Sequence, residues 1–250
     1  MLLNALLADA AITNASLPFF KFPDFQDSAK QVLERTSALS IRWNPLLKGD
    51  EMGMWEEFSG LSFPMESLDP VVSAWQQAPH EINLAQPIDL LSDHVYHKIA
   101  FEAISLRHPV LSPPSIMPFG PDMSNSSEPL SLLIVPVFAD RSETAEVVGF
   151  LDAALSWTEI FAHALPETIG ELDVEYTDNC RTEYTFLVEG SNATFVGEGL
   201  EERSYEYRNV NFMRSLILEG TNETKLLEAG ACIPTITSFG TPDLRGDYRT

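Results

Sequence analysis

The sequence predicts an α+β fold, with N-terminal helices packed against an antiparallel sheet. Three observations predict it. Helical periodicity dominates the first half of the chain, and strand-like patterns dominate the second. Residues 129–165 contain two apolar runs joined by a short polar turn, which reads as a β-hairpin at the centre of a sheet. Those runs, 132–138 and 147–155, are nearly continuous rather than alternating, so both faces of the strands should be covered. An amphipathic helix over 157–164, capped by Ser156, follows directly and can supply one cover. The expected organisation is a helical part with a Pro-rich loop, 1–128, and a sheet part, 129–250, in one structural unit.

Each element has its own signal. Residues 1–12 are apolar but carry Asn4 and Asp9 and lack a basic start, so they read as an amphipathic helix rather than a signal peptide. Pro18, Pro23 and the phenylalanines between residues 14 and 24 break that helix into an extended stretch. Residues 25–38 place Ala29, Val32 and Leu33 on one helical face. Residues 39–47 alternate like a strand running into a turn at Pro45. Residues 49–61 read as a short helix with Met54, Trp55 and Phe58 facing inward. The Pro-punctuated 62–79 reads as irregular. Residues 87–103 are helical, with Leu90, Leu91, Val95, Ile99 and Phe101 as core contacts. Residues 108–129 carry six prolines and form a loop with room for a short strand at 109–111. Beyond the hairpin, strands are expected at 169–177, 182–190 and 193–197. A charged exposed stretch follows at 201–210. Residues 212–219 read as helix or strand, and a last strand, 231–239, is interrupted by Pro234.

Composition narrows the function. The chain has 250 residues and a formal net charge of −22, which argues against nucleic acid or an anionic membrane surface as a partner, since either requires a basic face. No segment reaches the roughly 18 apolar residues of a membrane span. Four Asn-x-Ser/Thr sequons, at Asn14, Asn125, Asn192 and Asn222, lie in polar surroundings suited to glycans. Cys180 and Cys232 are the only cysteines; they are either a disulfide or two unrelated buried thiols. Together with the sequons they favour an oxidising compartment, and the disulfide is the expectation.

Catalytic signatures are sparse. His94 and His97 share a helical face and could hold a metal, but no third ligand is evident, and a polar helix face is the plainer reading. There is no phosphate loop, nucleophile elbow or zinc-protease motif. No enzyme activity, metal or cofactor is expected of this chain. Asp152 interrupts an apolar strand; it lines a polar pocket or marks the exposed side of the sheet.

The motifs Leu17-Pro18-Phe19-Phe20, Pro23-Asp24-Phe25, Trp43-Asn44-Pro45-Leu46 and Trp55-Glu56-Glu57-Phe58 occur in order. They continue through Trp75-Gln76, Pro79, Asn83, Pro136-Val137-Phe138, Val147-Val148-Gly149-Phe150, Ser156-Trp157, Asn179-Cys180 and Cys232. This series resembles the extracytoplasmic sensor region of receptor-type guanylate/adenylate cyclases of diatoms and related microalgae, itself similar to CHASE and other PAS-like sensors. A hairpin feeding a helix over its own sheet is compatible with such a PAS-like core, and equally with other α+β domains. The resemblance implies flanking transmembrane helices and a cytoplasmic class III nucleotide cyclase domain. Neither lies in this chain, so no cyclase residue carries over, and residues 239–250 look like a juxtamembrane end. The family resemblance names no ligand.

The reading that results is an extracellular ligand-sensing domain of a membrane receptor that binds an unknown small molecule, alone or as a homodimer. The alternative is a secreted or surface-attached binding module without a signalling role. The expected ligand site lies between sheet and helices. Trp75 and Tyr96 would form apolar walls, Gln76 a hydrogen-bonding pair and Asp152 a charged anchor. The bland alternative makes Trp75 and Tyr96 plain core and Asp152 solvated.

Overall fold

The computed structural model describes residues 19, 21–22, 24–60, 70–79, 89–116, 128–140, 142, 144–164, 171–199, 212–215 and 232–240. The fold is α+β with antiparallel sheets, as predicted. The described helices are α1 (Phe25–Leu33), α2 (Met52–Ser59), α3 (His94–Leu106) and α4 (Trp157–Ala164), with a 3-10 turn over Leu90–Ser92 before α3. Two compact units form: residues 1–111 with 132–154, and residues 112–131 with 155–250. The central hairpin therefore groups with the N-terminal helices, and the units do not divide at residue 128.

The first sheet contains β1 (Ala38–Leu47), β2 (Val71–Val72), β3 (Gln76–Ala78), β4 (Val110–Leu111), β5 (Leu130–Phe138) and β6 (Val147–Ser156). Its order is β2-β1-β6-β5-β4, with β3 also on β1. The predicted hairpin is β5–β6, closed by Ala139 N–H donating to Glu146 O at 2.9 Å. A connection this short cannot cross over, so the pair is antiparallel.

β1 departs from expectation, because it runs through Pro45 instead of turning there. The register explains why. Ile41, Arg42 and Trp43 face Ala78, Gln77 and Gln76, whereas Leu46 and Leu47 face Val72 and Val71. Residues 44–45 thus oppose residues 73–75, one more than they can pair with. The result is a β-bulge opposite the residue that has no N–H to give. Trp75 N–H to Trp43 O and Ser73 N–H to Pro45 O, both 3.1 Å, pin it. The described part of 62–79, expected to be irregular, is this bulged pair of short strands.

Both faces of the sheet are covered in the way the continuous apolar runs require. Side chains alternate along a strand. Ile41 and Trp43 pack with Phe22, Phe25 and Ala29 at α1. Asn44, pointing the other way, reaches Tyr96 of α3. α3 is capped by Asp93, whose carboxylate accepts from Val95 N and Tyr96 N at 2.8 and 2.9 Å. That start sets the buried stripe as Tyr96, Ile99, Ala100 and Ala103. Leu90 and Leu91 are buried as predicted. Val95 and Phe101 fall on the outer side, at 45% and 42% exposure, because their helical phase is set by the cap. The same correction applies to α2: Trp55 is buried, while Met54 and Phe58 are 55% and 43% exposed.

The second sheet has the order β10-β11-β7-β8-β9. Its strands are β7 (Leu172–Asp178), β8 (Glu183–Glu189), β9 (Asn192–Glu198), β10 (Phe212–Ser215) and β11 (Pro234–Gly240), and every pairing is antiparallel. Pro234 begins β11 rather than interrupting a strand, since the first position of a strand tolerates a missing donor. α4, capped by Ser156 Oγ accepting from Glu159 N at 3.2 Å, lies against this second sheet. Trp157 meets Tyr176 with ring centroids 4.8 Å apart, and Phe161 meets Phe186 at 4.9 Å. The helix was expected to cover its own hairpin; its aromatic stripe instead finds the aromatic face of β7 and β8.

Candidate functional site

The polar chemistry of the first unit concentrates on β1 and its neighbours. β6 approaches β1 closely because Gly149 has no side chain. A Cβ there would lie 2.5 Å from the Trp43 ring and 2.6 Å from Asn44 O. Further along β6, Asp152 is buried at 2% exposure. Its Oδ1 accepts from Arg42 Nε at 2.8 Å and its Oδ2 from Asn44 Nδ2 at 2.6 Å. Asn44 Nδ2 also donates to the Tyr96 hydroxyl at 3.2 Å. The two interruptions of the apolar strand thus have one cause: Gly149 admits the Trp43 indole, and Asp152 answers Arg42 and Asn44.

Burial, then the negative charge of Asp152, pushes the Tyr96 hydroxyl well above the ordinary tyrosine range; Arg42 and the Asn44 hydrogen bond oppose this. Tyr96 is therefore a neutral phenol that joins α3 to the sheet. Asp152 is neither solvated nor open: each of its oxygens already has a protein donor. Removing it would take the carboxylate from the Arg42 guanidinium, whose side chain is only 11% exposed, and from the Asn44 amide. An Asp152→Ala variant with near-unchanged thermal stability, which a ligand-dedicated carboxylate implies, is not compatible with this geometry.

The other residues expected at the site go elsewhere. Gln76 faces backbone: its Oε1 accepts from Phe22 N at 2.8 Å and its Nε2 donates to Phe22 O at 3.1 Å. It fastens the segment before α1 to β3, and Gln26 of α1 repeats the move by donating to Gln77 O. Trp75 packs edge-on against Trp55, centroids 5.0 Å apart, and lies tilted against Phe58 at 5.8 Å. Tyr96 and Asp152 are brought together through Asn44. Gln76 and Trp75 belong to different contacts.

No family model matches this chain. Comparison with curated proteins finds no match either. The site must therefore be read from its own chemistry.

One feature of that chemistry was not legible in the pattern of residues. Trp43 Nε1, Trp55 Nε1, Trp75 Nε1, Ser73 Oγ and Asn44 Oδ1 are all buried without a hydrogen-bond partner. Each such group costs roughly 1–3 kcal/mol, and native structures keep few of them. Asn44 belongs to the network; the other four sit on β1, on its facing bulge, or against Trp75. The only sequence signal was the presence of three tryptophans, Trp43, Trp55 and Trp75, which reads equally well as core.

His94 and His97 are exposed on α3, and the His97 ring lies 4.5 Å from that of Phe101. Among the described residues no group of three metal-ligating side chains assembles.

In the second unit, Cys180 and Cys232 form the expected disulfide, with Cα atoms 5.5 Å apart. Cys180 lies in the β7–β8 turn, where Asp178 Oδ1 accepts from Cys180 N and Thr182 N at 2.9 and 2.8 Å. Asn179 Oδ1 accepts from Ile233 N at 2.5 Å beside the bond. Asn192 is exposed at the start of β9. Asn14, Asn125 and Asn222 lie outside the described residues. Among the described residues no helix is long and apolar enough to cross a membrane.

Proposed function

We propose that this chain is the extracellular ligand-sensing region of a membrane receptor, coupled in the full-length protein to a cytoplasmic class III nucleotide cyclase. The observation that carries this reading is the Cys180–Cys232 disulfide, which belongs to an oxidising compartment. The exposed sequon at Asn192 and the ordered series of sensor-like motifs support it. The part assigned to sensing is the first unit, where the neutral Tyr96 phenol links α3 to the sheet through Asn44 and Asp152. A ligand that favours one placement of α3 over another would shift the receptor between states, and only differential binding can do so.

The test is cyclic-nucleotide output from membranes containing the gene product that includes this chain, challenged with a library of small uncharged and cationic molecules. Production that changes with at least one compound, and is lost when residues 1–250 are deleted, is the expected result. Membranes that make no cyclic nucleotide under any condition would leave the secreted or surface-attached binding module in its place.

A further inference from the structure

We propose that Asn192 carries an N-linked glycan, and that this glycan guards the free edge of the second sheet against pairing with a second copy of the chain. The proposal rests on the extracellular reading, since N-glycosylation belongs to secreted chains.

The β8–β9 hairpin fixes where Asn192 stands. Glu189 and Asn192 face each other across a turn of two residues, Gly190 and Ser191. Gly190 takes the positive φ, 61°, that such a turn favours at its first position. Asn192 and Thr194, the two residues that define the sequon, lie two apart on the strand and so share a face. Both are exposed. Phe195 points the other way and packs on Tyr184 and Phe186, with ring centroids 5.6 Å apart in each pair. The sequon is therefore turned away from the aromatic core and toward solvent.

Among the described residues, β9 stands at one end of the second sheet. The outer row of N–H and C=O groups on such a strand is a template for another chain. The two halves of β9 are defended differently. In the second half the pairing skips Val196, because Thr185 faces Gly197 while Phe186 faces Phe195. That bulge, followed by the charge of Glu198, breaks the flat row that an incoming strand needs. The first half, 192–195, pairs in continuous register from Glu189↔Asn192 to Phe186↔Phe195 and reads Asn-Ala-Thr-Phe. It has none of the charges, prolines or bulges that blunt an edge. The half that lacks them is the half that carries the sequon. A bulky, solubilising sugar on Asn192 supplies the missing obstruction.

The attachment is a group transfer from an oligosaccharide carried on a polyprenyl diphosphate. Asn192 Nδ2 bonds to the anomeric carbon, and the bond from that carbon to the diphosphate oxygen breaks. The diphosphate leaves with the electron pair, and the amide gives up one proton.

The experiment has two readouts. The gene product purified from its own host is treated with a glycan-removing amidase in heavy-oxygen water, which leaves a heavy aspartate wherever a glycan stood. Peptide mass spectrometry then reads position 192. Separately, the full 250-residue chain is secreted from a eukaryotic host behind a cleavable leader and weighed by sedimentation. The parent is compared with Asn192→Gln and Thr194→Ala, which remove the sequon through different side chains. The expected result is a heavy label at position 192 and a doubled mass for both variants relative to the parent. Adding Thr194→Lys to Asn192→Gln should restore the parent mass, because a charge on the edge blocks pairing. An unlabelled position 192 in protein found at the cell surface overturns the proposal and leaves the sensing reading standing. Variants that keep the parent mass, or a doubling that survives the lysine, overturn the guarding role with the same reading intact. Protein found only inside the cell overturns the sensing reading and this site with it.

Discussion

At the scale of single residues, Asp152 and Gly149 show how one strand can impose chemistry on another. Their positions in an apolar run were visible in the sequence, but their meaning was not, because the partners lie more than a hundred residues away on β1. Asp152→Ala should destabilise the protein by about 3–5 kcal/mol, since it removes the buried carboxylate to which Arg42 Nε and Asn44 Nδ2 donate. Chemical denaturation measures this. An effect under about 1 kcal/mol would mean that Arg42 escapes to solvent. Gly149→Ala places a methyl group 2.5 Å from the Trp43 ring. It should cost about 1–3 kcal/mol through overpacking, and it should perturb the Trp43 indole signal before that of Trp157. A variant as stable as the parent would contradict the close approach of β6 to β1.

At the scale of elements, the strands with strong signals were legible and the helix faces were less so. β5, β6, β7 and β8 stand where apolar or alternating runs placed them. The outward positions of Met54, Phe58, Val95 and Phe101 were not legible. A helix's phase is set by its cap and by neighbours from distant segments, and hydrophobicity alone does not choose among apolar positions. Pro45 and Pro234 misled for a related reason: proline reads as a break, yet a bulge on the facing strand or the first strand position accommodates it. The disulfide ties the β7–β8 turn to the start of β11 across a sequence separation of 52. Loop-closure entropy then gives about 4 kcal/mol of stabilisation. Paired Cys180→Ser and Cys232→Ser substitutions should lower stability by roughly that amount, measured by denaturant midpoint. The loss should concentrate in hydrogen exchange from β7, β8 and β11. Uniform loss across both sheets would contradict a role confined to the second unit.

At the scale of the whole molecule, α+β class was readable from element order alone, whereas the two-unit division was not: the chain leaves and re-enters each unit, and contiguous segments do not report that. The candidate site was half legible, since Tyr96 and Asp152 meet through Asn44 while Gln76 and Trp75 serve other contacts. The buried phenols also give the molecule a pH signature. Burial holds the Tyr96 and Tyr176 hydroxyls above their ordinary value of 10.0, so the folded state keeps protons that the unfolded chain releases. Stability from this source is fully present below about pH 10 and is lost as pH rises from there toward the folded values. Tyr96→Phe should flatten that alkaline decline, by up to about 1.4 kcal/mol per pH unit. An identical alkaline slope in the variant would show that Tyr96 ionises freely in the folded protein. The central claim is that this chain works outside the cell. Its most direct test is an epitope inserted at the exposed β8–β9 turn, residues 190–191, of the gene product in its own host, detected by antibody before and after permeabilisation. The account predicts full labelling of intact cells, and labelling that appears only after permeabilisation would contradict it.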